Sequence, residues 1–446
     1  MRKINTPKVD YEEVFDGEIA KEIPYYRMYG KQYCLPSFVI YEEHEIEELR
    51  AASEQVNRIY RKVLRFAQQY LPDSYLIQQL GLEPAMIPAA RIPLPWSGIE
   101  RQDWIIGEHG MKCIENNTET PTGIPESAFL ERELLGRYMD ASGPSSAMDE
   151  TLTQTFKDIV ADYRARGLGN RVTFTCMGEI LEDSTNTKYL LRRCEKAGIK
   201  VNYAPLEELR IVPGVGLYHR DERIMILYRL YPLEFLIHDQ EESSGVLVGQ
   251  ELMKLAAEGK IGIINPPQNI ITQSKGFMAT IWSLYERNDL TQEYFGFKLF
   301  DAEEMRIISK YLLPTYFTNE PFLLTGESYA AKGYWGREGK GTDLFEPGGL
   351  EDSRLSSEAA STSEEADPEE AEYYGSMPKI YQRLYPMSQA VVPTELGEYQ
   401  GYVLTGVYVF NGKYAGVLSR IGAKVTGDLA YYCPAAISPR KGSSIT

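Results

Sequence analysis

Cysteine and histidine are the scarcities that most narrow the chemistry of this 446-residue chain. Its five cysteines (Cys34, Cys113, Cys176, Cys194 and Cys433) are odd in number, stand singly and form no Cys-x-x-Cys pair. That argues against a disulfide framework and against a zinc site. The four histidines (His44, His109, His219, His238) have no triad or metal-ligand spacing, which fits a chemistry without a protein nucleophile. No apolar run approaches the ~20 residues of a membrane helix, and residues 1–20 mix Lys, Asp and Glu without an apolar segment. No membrane span is expected, and a cytoplasmic location is. Basic residues are also outnumbered: 47 Lys and Arg against 64 Asp and Glu leave a net charge of −17, which disfavours nucleic acid and anionic membranes as partners.

What is present is ordinary globular composition, 43% hydrophobic and 25% charged, in a chain long enough for two or three packed units. Much of the negative charge is local. Residues 351–373 hold nine acidic side chains against Arg354 alone, a contribution of −8 that leaves −9 for the rest. With almost nothing apolar to bury, this stretch reads as a solvated insert, the sharper alternative being capture of a polycation such as a polyamine.

Apolar residues at helical spacing from Glu42 to Tyr70 (Ile46, Leu49, Val56, Ile59, Val63, Phe66) predict a long amphipathic helix. Arg101 to Asn117 then reads as two strands joined by a turn at Gly107 to Gly110. With the turn centred on His109, Asp103 falls opposite Glu115, and Arg101 and Asn117 share their face. Directly opposed like charges destabilise a strand pair, so two facing carboxylates beside an amide oxygen suggest a hard cation, magnesium, between them. The bland reading is a solvated hairpin face. The Pro-broken stretch Thr118 to Glu126 serves as a binding loop or an ordinary turn. A second helix is expected from Met148 to Arg166, then a strand from Arg171 to Met177, a helix from Thr187 to Ala197 and a strand from Ile199 to Tyr203. This βαβ pattern implies a small parallel-sheet unit over residues 170–259, with Lys260 to Asn265 returning the chain to the first unit. Beyond Thr325 the patterns are antiparallel, ending in a hairpin about Asn411-Gly412.

Two lysines stand out. Lys275 precedes an apolar helix, where a cation is unfavourable to the dipole unless an anion accompanies it. Lys332 ends a strand directly before the Gly-spaced loop Gly333-Tyr334-Trp335-Gly336-Arg337-Glu338-Gly339, whose backbone can approach an oxyanion closely.

Ile114-Glu115-Asn116-Asn117-Thr118-Glu119-Thr120-Pro121-Thr122 resembles the metal-binding signature of the glutathionylspermidine synthetase family. The resemblance continues in family order through Leu230 to Phe235, Asn265-Pro266-Pro267 leading to Lys275, Lys332 with Gly336 to Gly339, Ile380-Tyr381-Gln382, and Ala415-Gly416 leading to Arg420. It implies an α+β fold of the ATP-grasp type, glutathione synthetase-like and circularly permuted. The expected division is an N-terminal catalytic part (1–169), an inserted α/β parallel-sheet substrate domain (170–259), and a lid with C-terminal part (260–446). It further implies a carbon-nitrogen ligase that joins a glutathione-like peptide or other small carboxylate to an amine or polyamine through an acyl phosphate, using ATP and Mg2+. Asp103, Glu115 and Asn117 would hold the metal. Lys275, Lys332, Gln382, Gly336 and Gly339 would face the nucleotide, with Gln382 near the adenine. Arg101, Arg337 and Arg420 would be the catalytic cations, and Thr120, Glu182 and Asp183 would face the substrates. The acidic pair is expected in a loop at the carboxyl end of a strand, with Asp183 in place of the family's Glu. Two rivals stay open: an amino-acid acceptor in the same site, or a nucleotide-binding protein without turnover, against which the intact set of charged positions speaks.

Overall fold

The computed structural model describes residues 1–242, 244–346 and 373–438. The expected solvated insert, in its residues 351–372, lies outside the described residues. Among the described residues no helix is long and apolar enough to cross a membrane.

The long helix forms as the apolar spacing requires. It runs Glu43–Tyr70 (α1), starts where the Glu45 carboxylate accepts the Glu42 N–H at 2.9 Å, and buries Ile46, Leu49, Val56, Ile59, Val63 and Phe66 along one stripe. At ~1.5–3 kcal/mol for each large apolar side chain removed from water, that stripe fixes α1 to the sheet beneath it.

Beneath it lies the hairpin Ile99–Gly107 (β1) and Gly110–Asn117 (β2). The turn spans Gly107 to Gly110 as expected, but it does not centre on His109. Gly107 pairs with Gly110, so the turn centres between Glu108 and His109, and that register alone would misalign the two carboxylates. A bulge corrects it: Trp104 pairs with Cys113 but Asp103 pairs with Glu115, leaving Ile114 as one extra residue in β2. Asp103 and Glu115 therefore do face each other, as do Arg101 and Asn117. Alternation sends Glu100, Gln102 and Trp104 toward α1, where Asn57 donates to Glu100 and Gln102 donates to the Ser53 carbonyl.

The helix Met148–Ala165 (α2) leads into a parallel unit made of Arg171–Cys176 (β3), Leu181–Lys196 (α3), Lys200–Tyr203 (β4) and Ile226–Leu230 (β5). Gly262–Ile264 (β6) completes it, giving the order β6-β5-β3-β4. Two expectations need correction here. Residues 260–265 do not leave the unit at 259, because β6 pairs in parallel with Ile226, Leu227 and Tyr228. The helix starts at Leu181 rather than Thr187, so Glu182 and Asp183 occupy its first turn, where acidic side chains suit the dipole, and not a loop. A core of Leu152, Phe156, Ile159, Phe174 and Tyr228 joins α2 to this sheet.

The helix Gly276–Glu286 (α4) follows, then a small antiparallel sheet of Tyr329–Gly333 (β7), Thr342–Phe345 (β8) and Lys379–Arg383 (β9), edged by Thr315–Tyr316. The chain closes with Gly397–Phe410 (β10), Lys413–Gly422 (β11) and Tyr431–Cys433 (β12), β10 and β11 turning at Asn411 (φ 47°) and Gly412 (φ 82°). These strands pair back onto the hairpin in the order β12-β11-β10-β1-β2, so the first and last segments share one sheet.

Candidate functional site

Three surfaces meet over the hairpin. Its outward face, the carboxyl ends of β3 and β5, and the β7-β8-β9 sheet enclose a cavity of about 410 Å³. Every residue singled out from the sequence lines it except Lys275, which reaches its wall through Glu115.

On the floor, each carboxylate already has a cation. Asp103 accepts from Arg101 Nε at 3.0 Å and Arg420 Nη2 at 3.1 Å. Burial pushes the Asp103 carboxyl up, but Arg101 and Arg420 outweigh burial and hold it below the ordinary carboxylate range. Glu115 accepts from Lys275 Nζ at 2.8 Å, and Lys275 also donates to the Gly336 carbonyl at 2.6 Å. The anion that a lysine at a helix start needs is thus a carboxylate of the hairpin. Facing carboxylates by themselves do not demand a metal here, because three cations neutralise them.

Lys332, 8% exposed, donates to the Gln382 Oε1 at 2.8 Å and to the Ile114 carbonyl at 3.1 Å. That carbonyl belongs to the bulged residue, so the irregularity that aligns Asp103 with Glu115 also anchors the lysine. Burial, reinforced by the neighbouring Lys275, pulls the Lys332 amine down to about 8. Gln382 gives its Nε2 to Thr315 Oγ1 at 3.2 Å, so both ends of its amide are engaged. Placed at the cavity wall, it holds Lys332.

Arg337 lies in the loop between β7 and β8. It donates to Thr120 Oγ1 at 3.1 Å and to Glu234 through both Nε (2.8 Å) and Nη2. The flanking glycines are steric necessities: a Cβ on Gly336 would come within 2.7 Å of the Lys340 carbonyl, and one on Gly339 (φ 75°) within 2.6 Å of Val425.

The cavity lining also carries acids. Burial raises the Glu182 carboxyl and Glu338 raises it further; Asp183 is pushed up to about 7 by burial, then by Glu182 and Glu338. Glu338, with φ 53°, stands in the loop beside Arg337 and is also raised by burial. Spacing in the sequence pairs none of Glu338, Glu234 or the buried Glu119–Arg229 ion pair with the cavity. Glu338 and Glu234 do lie inside the motif blocks, and that is the only signal that marks them.

The family model described as glutathionylspermidine synthase preATP-grasp matches residues 18–438. The chain belongs to this family. A Haemophilus influenzae protein provisionally named an acid–amine ligase is 22% identical over 343 residues, 75% of this chain and 73% of its own. A glutathione synthetase-like effector from Globodera pallida, solved in its apo form, superposes with a TM-score of 0.51 at 10% identity, covering 90% of this chain and 89% of its own, so the fold is glutathione synthetase-like.

For a glutathionylspermidine synthase family member the metal needs its own test. Among the described residues no three His, Cys, Asp or Glu side chains gather as a metal cluster. The candidate set is two carboxylates and one amide. Its donor chemistry nevertheless fits a hard divalent cation: Asp103, Glu115 and Asn117 all line the cavity, and the Glu115 side chain is 31% exposed. The Asn117 Oδ1 now accepts the N–H groups of Glu119 and Thr120, both at 3.2 Å.

Proposed function

We propose that this chain is an ATP-dependent ligase that joins a small carboxylate to an amine, its fold a permuted ATP-grasp with residues from about 170 inserted as a substrate unit. The observation that carries this reading is that a single cavity is lined by both kinds of charge: Lys332, Arg337 and Arg420 together with Glu182, Asp183 and Glu338. Three phosphates and a carboxylate need cations; a protonated amine needs carboxylates.

The reaction balances without a protein nucleophile. A carboxylate oxygen of the substrate attacks the γ-phosphorus of ATP, ADP leaves, and an acyl phosphate forms. The amine, after losing a proton, attacks the acyl carbon, and phosphate leaves with the electron pair of the broken C–O bond. Lys332 takes phosphate oxygens and Lys275 adds positive charge from behind the wall through Glu115, while Arg337 and Arg420 stabilise the charge on the transferring group, a kind of contact typically worth ~10²–10³ in rate. Arg101 fixes Asp103. Magnesium, held by Asp103, Glu115 and Asn117, would neutralise phosphate charge. Thr120 acts through Arg337, and Glu182 and Asp183 hold the ammonium before it gives up its proton. A glutathione-like peptide and a polyamine are the substrate classes to try first.

ADP release that requires both a carboxylate and an amine tests the reading. ADP release that needs neither, or nucleotide binding with no release under any pair, overturns it.

A further inference from the structure

Glu234 sits one turn beyond the end of β5, in the short helix Leu233–Leu236, and is 5% exposed. It belongs to the parallel unit, whereas Arg337 belongs to the loop of the β7-β8-β9 sheet. A single oxygen, Oε1, accepts both Nε and Nη2 of Arg337. Thr120, just past β2, takes Nη1. The guanidinium is therefore clamped from two directions by two different segments, and its remaining N–H groups are left for the cavity that Arg337 lines. Among the described residues Glu234 is the acid that Arg337 bonds to directly. Glu119 is committed to Arg229 Nη2 at 2.6 Å and to the Leu233 N–H at 3.4 Å, and Arg229 is held in turn by the Tyr231 carbonyl at 2.6 Å. The Oε2 of Glu234 is buried with no hydrogen-bond partner among the described residues, so the carboxylate's engagement is with Arg337 alone on one oxygen and with nothing on the other.

We infer that Glu234 is a positioning residue: it orients the Arg337 guanidinium toward the transferring phosphoryl group and ties the β7-β8 loop to the substrate unit. This rests on the ligase reading. A side chain held by a charge-assisted, two-donor contact keeps its geometry at the transition state, and the loss falls on the rate of the chemical step rather than on binding.

The test pairs kinetics with a measurement that needs no turnover. Glu234→Gln should lower kcat about 10–100-fold with the KM for ATP within about threefold, since the arginine remains but is no longer held in line. Glu234→Asp, keeping the charge with a shorter reach, should fall between the two. The double variant Glu234→Gln with Arg337→Ala should be no slower than Arg337→Ala alone, because both changes remove the same contribution. Independently of activity, trypsin should cut after Arg337 at least about fivefold faster in Glu234→Gln than in the wild type, the loop having lost its anchor, with the site identified by peptide mass. Unchanged kcat in Glu234→Gln, or a double variant slower than Arg337→Ala by the full single-variant factor, overturns the positioning role. Unchanged tryptic cleavage overturns the anchoring. If the wild-type chain releases no ADP with any substrate pair, the ligase reading fails by itself, while faster cleavage in the variant still establishes the Glu234–Arg337 tie.

Discussion

The hairpin floor of the cavity and the acids near the start of α3 use the same residue types to opposite effect. On the hairpin, Asp103 meets Arg101 and Arg420, Glu115 meets Lys275, and the net result holds the Asp103 carboxyl low. Glu182 and Asp183 at the start of α3 are raised by burial and by neighbouring acids, Glu338 among them, while Glu338 in the β7-β8 loop is raised by burial and Asp428 although Lys340 lies 3.9 Å away. In the first region cations outweigh burial; in the second, burial and neighbouring acids outweigh the nearby cations, which favours a further cation. A carboxylate's role is thus set by its neighbours: matched acids hold other side chains in place, and unmatched acids wait for a ligand.

Closing charge on the floor is expected to matter most. Glu115→Gln removes a charge at nearly constant volume and releases Lys275, so ADP formation should fall by more than about 10³-fold while the thermal unfolding midpoint stays close to the wild type's. Wild-type ADP formation in that variant would remove Glu115 from the metal and phosphate machinery. Acidity separates the two regions more gently, and with opposite signs. As pH rises from 6 to 8 the Asp183 carboxyl, pushed up to about 7, gains charge while an alkyl ammonium keeps its own. The KM for the amine should therefore fall, by about tenfold at most. Above about 8 the Lys332 amine loses its proton, so the KM for ATP should rise. Asp183→Asn should flatten the first dependence and leave the second. The smallest effect belongs outside both regions: exchanging residues 351–372 for a short Gly-Ser linker should change the rate less than ~10-fold, as loop closure depends weakly on length. Selective loss of activity toward polyamines would instead assign that segment to amine capture.

Local pattern carried the architecture further than the contacts. The α1 stripe, the β3-α3-β4 order and the Asn411-Gly412 turn follow from periodicity and turn chemistry, which are short-range. A turn centred on His109 predicts the facing of Asp103 and Glu115, whereas the chain turns between Glu108 and His109 and regains the register through Ile114. A bulge leaves no mark in alternation of this kind. The early start of α3 was hidden because the acidic pair opens the helix rather than preceding it. The ties that shape the cavity, Lys275 with Glu115, Lys332 with Ile114 and Gln382, and Arg337 with Glu234, each span between 50 and 218 residues. Spacing along the chain cannot announce such partners; only folding brings them together.

The proposed division of labour within one cavity, cations for phosphate and acids for the amine, is tested most directly by comparing two variants for both substrates. In Glu182→Gln with Asp183→Asn, charge-assisted contacts worth ~1.5–3 kcal/mol each are lost from one ligand only. The KM for the amine should rise steeply and the KM for ATP should stay nearly constant, with Lys332→Ala giving the reverse. If the acidic double variant raises the KM for ATP as much as that for the amine, these carboxylates serve the nucleotide or the fold, and the division does not exist.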